Sequence, residues 1–145
     1  MEIFVSGELD CKNFILSLYS NDFVERVEII KSEYKEARVD FLIFNRENLK
    51  HFVVETKDWL KRKPTFISVS KIRNIYKHYS GNGLLILSHN KKYYWLDILK
   101  INWENIRTFE VPTKNDEMDL CYDIENLLSC DIEELSNVLL LRLLT

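Results

Sequence analysis

Two apolar stretches, VDFLIF (39–44) and HFVVETK (51–57), limit what this chain can fold into, because each reads as an interior β-strand and each carries charge inside it. Asp40 lies in the first, and Glu55 and Lys57 in the second. An unpaired charge in a core costs several kcal/mol, comparable to the whole margin by which a domain is stable. Any fold for this chain must therefore offset these charges. A divalent cation beside a phosphodiester would do so, because hard cations take carboxylate oxygens and a phosphate takes a lysine.

The surrounding pattern predicts how the two strands are held. SGELDCKNFILSLYS (6–20) reads as a helix capped by Ser6, with Cys11, Phe14, Ile15 and Leu18 at helical spacing and Glu8 on the same inward face. FVERVEIIK (23–31) and ARVDFLIF (37–44) read as strands, NRENLK as a reversal, and HFVVETK as a third strand completing a meander. After Pro64, ISVSKIRNIYKHYSG (67–81) is predicted helical, with Ser68 or Ser70 as cap and Gly81 as stop. GLLILS, a turn at HNKK and YYWLDI follow, so the order is αβββαββ, with a right-handed parallel crossover from the third strand through the helix into Leu84–Leu87.

The tail from Asp116 to Leu144 is predicted to form two helices. The first carries Met118, Cys121, Ile124, Leu127 and Leu128; the second, capped by Asp131, carries Ile132, Leu135, Val138, Leu139 and Leu143. The expected organisation is an α/β domain over 1–112 and a helical extension over 113–145. The apolar NVLLLRLL either packs on the domain's own sheet or forms a homodimer face.

At 145 residues the chain is long enough to bury a core without disulfides or structural zinc. Cys11, Cys121 and Cys130 have neither C-x-x-C spacing nor a histidine in register, so they read as reduced core or interface residues. His51, His78 and His89 suggest neither a triad nor a zinc site. The start carries no basic, apolar leader, and no run reaches the roughly 18 apolar residues of a membrane span, so no membrane role and a cytoplasmic location are expected. Net charge is −3, which argues against a protein that simply coats nucleic acid. The charge is segregated, however: Lys61, Arg62, Lys63, Lys71 and Arg73 make the middle basic, whereas Asp116 to Glu134 is acidic. Those five cations are the candidate nucleic-acid contacts. Trp59, Tyr76, Tyr79, Tyr93, Tyr94 and Trp95 interleave with the basic region, as core or as stacking surfaces.

Alternation along a strand puts Glu55 and Lys57 on one face, about 6.6 Å apart. Asp40, in the neighbouring strand, is expected to meet Glu55. Their carboxylates and the carbonyl of Thr56 would then hold Mg²⁺ (or Mn²⁺) rather than zinc. Lys57 would orient water or stabilise charge on phosphorus, and Glu8 would complete the second shell or hold a second ion. The alternative for these charges is a structural ion network.

This order, a helix with Glu, a strand, a strand with Asp, then a strand with Glu-x-Lys, a helix and a strand, resembles the PD-(D/E)xK nuclease superfamily over Ser6 to Ile98. By length and by the Ser-Gly-Glu start of the helix, the archaeal-type Holliday junction resolvases are the most similar branch. The resemblance implies a restriction-endonuclease-like α/β fold, with a central mixed sheet flanked by helices and extra C-terminal helices. It also implies Asp40 and Glu55 as metal ligands, Lys57 as catalytic lysine, Glu8 as helix-borne acid, and a DNA endonuclease acting as a homodimer. The chain departs from the pattern at Val39, where the motif has proline, in its acidic balance, and in its leucine-rich tail. Two other readings stand beside it: an inactive nuclease-fold protein that binds a protein partner through the C-terminal helices, and a defence or toxin nuclease acting on RNA.

Overall fold

The structure is a computed structural model that describes residues 6–18, 27–31, 39–58, 66–89 and 92–144. Lys61, Arg62, Lys63, Trp59 and the tip of the HNKK turn lie outside the described residues.

Helix α1 (Ser6–Ser17) precedes an antiparallel meander of β1 (Val27–Lys31), β2 (Phe41–Asn45) and β3 (His51–Asp58). The β2–β3 reversal is built by Asn45 and Leu49: the Leu49 N–H donates to Asn45 O at 2.9 Å, and Leu49 takes a left-handed φ of 62°. The short strand β4 (Phe66–Ser68) leads into α2 (Val69–Tyr79), which ends at Ser80 in the left-handed conformation. β5 (Gly83–His89) then pairs parallel with β3, Glu55 beside Leu85, and β6 (Lys92–Asp97) returns antiparallel. The five-stranded order β1-β2-β3-β5-β6 is the mixed sheet expected from the αβββαββ pattern.

The alternation of β3 assigns its two faces. Phe52 and Val54 join Phe41, Ile43 and Ile86 in a core closed by α1 and by the C-terminal helix α3 (Ile132–Leu144), through Cys11, Ile15, Leu135, Leu139 and Leu143. Val53 joins Leu85 and Leu87 on the other face, under Ile72 and Ile75 of α2 and under Ile124. Helices thus cover both faces of a sheet whose inner strand, β5, is apolar from Leu84 to Leu87, as a doubly covered parallel strand must be.

The tail departs from expectation. Met118–Asp123 is not helical but forms strand β8, which pairs with β7 (Thr108–Pro112) and with β4 in a second, three-stranded sheet. Cys121 and Ile124 do point inward, at a spacing a helix would share. The period of two in Met118, Leu120 and Tyr122, after a Lys-Asn-Asp turn with Asp116 at φ 61°, is what the chain follows. Apart from a single 3-10 turn at Glu125–Leu127, only Ile132–Leu144 is helical, with the Asp131 carboxylate accepting from the Glu134 N–H at 3.1 Å as its cap. The apolar stripe of α3 lies on the chain's own sheet. Of its large apolar side chains, Ile132 and Leu141 stay exposed. Cys11 and Cys121 are buried free thiols, and Cys130 is exposed.

Candidate active site

The site forms where β2 and β3 part. Phe41 pairs with Val54, so Asp40, one residue earlier, arrives beside Glu55. Asp40 is not inside the strand as expected but on a bend immediately before it. Its Oδ2 accepts from the Thr56 N–H at 2.5 Å and the Thr56 hydroxyl at 2.8 Å. A side-chain carboxylate thus takes the backbone donor that a continuing β2 would have paired, and the strand starts one residue later. Thr56 meets the site through its N–H and hydroxyl, as the group that orients Asp40.

Glu55 shares the pleat of Val53 and faces the α2 side, 5% exposed. Its Oε2 lies 3.3 Å from Lys71 Nζ, an ion pair, but in no hydrogen bond of good geometry among the described residues. Burial, then the nearby Asp40 charge, push the Glu55 carboxyl up to about 7, against the ammonium groups of Lys71 and Lys57, which pull it down. Lys57 emerges on the same face, exposed, above Leu87. Its charge also reaches Cys121 on β8, whose thiol is pushed up to about 11 by burial and by Asp119. Next to it the Ser68 hydroxyl donates to Asp119 at 3.3 Å.

Glu8 is elsewhere. It is buried on the α1 face and accepts from Lys31 of β1, so the sheet separates it from Glu55. The cleft under α1 between Cys11, Thr56 and Ser88 has a volume near 10 Å³, room for one water at most. That cleft, which Lys57 also lines, is too small for a substrate. The structure brings together Asp40, Glu55, Thr56, Lys57 and Lys71, and leaves Glu8 in a structural ion pair. Arg73 stands exposed on α2.

Lys71 at Glu55 was missed from sequence, where it counts only as a phosphate contact. The signal was present: Lys71 is four residues before the buried Ile75 and adjacent to the buried Ile72, so helical periodicity turns it toward the sheet.

The donor set suits a hard cation. Mg²⁺ usually keeps several waters and takes one or two carboxylates, and here two carboxylates flank the β2–β3 fork: Asp40, held by Thr56, and Glu55, with a buried oxygen in no hydrogen bond. The described residues contain no group of three potential ligands.

The mixed sheet with helices on both faces defines an α/β fold. Ten chains of known structure match it. One is Archaeoglobus fulgidus Hjc, a Holliday junction resolvase from an archaeal hyperthermophile, with a TM-score of 0.52 and 12% identity, over 90% of this chain and 95% of that one. No family model and no curated protein matches the chain. No helix among the described residues is long and apolar enough to cross a membrane.

Proposed function

We propose that the protein is a divalent-metal-dependent endonuclease that hydrolyses DNA phosphodiesters, with branched DNA as its preferred substrate. The observation that carries this reading is the buried Glu55 carboxylate, unbonded at Oε2, beside Asp40 and facing two lysines. Perturbed, desolvated carboxylates concentrate at functional sites. The preference for branched DNA is carried over from the resolvase with which the chain shares its fold.

Mg²⁺ or Mn²⁺ held by Asp40 and Glu55 would polarise a phosphoryl oxygen and acidify a bound water. The protein's own part is geometric and electrostatic. Thr56 fixes Asp40 through two hydrogen bonds. Burial keeps Glu55 poorly hydrated, which strengthens its attraction for a cation. Lys57, exposed at the end of β3, is placed to stabilise negative charge on the phosphorus oxygens. Lys71 neutralises Glu55 until a cation arrives, so it competes with the metal. Lys71→Gln is therefore expected to tighten Mn²⁺ binding about fivefold by calorimetry, the factor for an ion pair of roughly 1 kcal/mol. Unchanged affinity would remove Lys71 from this role.

Two cuts across a four-way junction need two sites related by a two-fold axis, so the reading includes a homodimer. The direct test combines calorimetric Mn²⁺ binding with cleavage of four-way junction, duplex and single-stranded DNA, and of RNA, in Mg²⁺ or Mn²⁺. Light scattering gives the oligomeric state. Metal-dependent cutting, strongest on the junction, is the expected result. Cleavage of RNA alone would replace this reading with that of a ribonuclease. Neither metal binding nor cutting would favour the second reading, an inactive nuclease fold that acts by binding.

A further inference from the structure

A groove of about 380 Å³ opens on the same face of the sheet, between α2 and the 3-10 turn Trp103–Asn105. It is within the range of small-ligand sites. Tyr76, Trp103 and Tyr122 supply its aromatic walls, and Arg73, Asn102 and Glu104 its polar rim. The walls are set in advance. The Tyr76 hydroxyl and Trp103 Nε1 both donate to the carbonyl of Ile98, at 3.2 and 3.0 Å. The Trp103 and Tyr122 rings lie 4.7 Å apart. Behind Tyr76 sits Gly81, at φ 77°, where a Cβ would come within 2.5 Å of the ring. The polar atoms of Tyr76 and Trp103 are thus already bonded, so these two rings offer faces and edges.

We propose that this groove binds one unstacked nucleotide of the strand that is cut, and that it prefers bases with an exocyclic amine. The proposal rests on the nuclease reading for its strand. Flat bases stack on aromatic walls whatever their identity. Arg73 at the mouth meets the phosphate, whereas the Glu104 carboxylate would repel it and is useful only toward a base edge. A carboxylate accepts and cannot donate, so it pairs with the amine of cytosine, adenine or guanine and opposes the carbonyls of thymine. Asn102 donates and accepts beside it. An aromatic peptide side chain would use the rings but neither the guanidinium nor the two rim acceptors.

The test is fluorescence anisotropy with labelled hexamers of deoxycytidine, of thymidine and of abasic residues, in EDTA so that nothing is cut. Deoxycytidine should bind about tenfold more tightly than thymidine, and the abasic strand most weakly. Glu104→Gln, at an exposed position, should equalise cytosine and thymine. Tyr76→Leu, with its fold checked by circular dichroism, should bring both bases to the abasic level. Equal binding of base-bearing and abasic strands overturns the proposal, as does a preference that survives Glu104→Gln. No binding of any hexamer also overturns it and leaves the groove to a non-nucleic occupant. A protein that shows the preference yet never cuts would sink the nuclease reading alone, and one that cuts without the preference would sink the groove alone.

Discussion

Glu55→Gln is expected to reduce DNA cleavage by about a thousandfold or more while making the metal-free protein more stable above neutral pH. Both effects have one cause. In the unfolded chain the Glu55 carboxyl ionises near 4.5, and in the fold its pKa is raised to about 7, first by burial and then by Asp40. At pH well below 4.5 both states hold the proton, and Glu55 contributes nothing to the pH dependence. Between 4.5 and about 7 the unfolded chain has released the proton while the fold retains it, so stability falls as pH rises, by about 1.4 kcal/mol per pH unit. Above 7 the slope vanishes and a cost on the order of 3 kcal/mol remains.

Glutamine has no such cost. It does take the Glu55 carboxylate away from Lys71, but that side chain is 25% exposed and can be hydrated. A net gain of about 2 kcal/mol at pH 8, roughly 6 °C in Tm, should shrink toward zero at pH 5. Melting both proteins in EDTA at the two pH values checks this, and an equal difference at both would show that Glu55 ionisation is not the cause. A function that needs a dehydrated carboxylate accounts for why the less stable residue stands here.

How much of this was legible from residues follows the range of the forces involved. The meander, α1, α2 and the parallel return all carry strong periodicity, and the structure contains them. The register that sets Asp40 opposite Glu55 was also readable, because a short turn fixes the pairing of β2 on β3. Glu8 was misplaced because helical spacing says only that a side chain faces inward. Which face of the sheet α1 covers is a tertiary choice, and Lys31 on β1 decides the fate of that carboxylate. The second sheet was missed because a run as short as MDLCYD supports a helix as well as a strand, and only Phe109 and Ile67, distant in sequence, select the strand by pairing with it. The groove was illegible for the same reason, since Tyr76, Trp103 and Tyr122 come from three elements.

The largest stability loss is expected from Asp97→Ala, two strands across the sheet from Glu55. Asp97 ends β6, is 4% exposed, and binds Arg142 of α3 through both carboxylate oxygens at 2.7 Å. Arg142 also donates to Asn82, which in turn donates to the His51 carbonyl at 2.8 Å. Asn45 and Asn48 donate to the Leu143 carbonyl, satisfying an end of α3 that water reaches poorly. The C-terminal helix is thus tied to the β2–β3 turn and to the ends of β3, β5 and β6, and is no appendage. Removing one partner of a buried ion pair costs about 3–5 kcal/mol because the other charge stays buried. Arg142 is 18% exposed, which places Asp97→Ala near the lower figure, about 10 °C in Tm. Replacing both partners, as Asp97→Leu with Arg142→Met, should restore most of that loss, because no buried charge is then left alone. Urea unfolding of the single and double variants measures the coupling. If Asp97→Ala cost less than about 1 kcal/mol, the pair would behave as a hydrated surface contact, and the apolar stripe of Leu135, Leu139 and Leu143 would have to hold α3 without it.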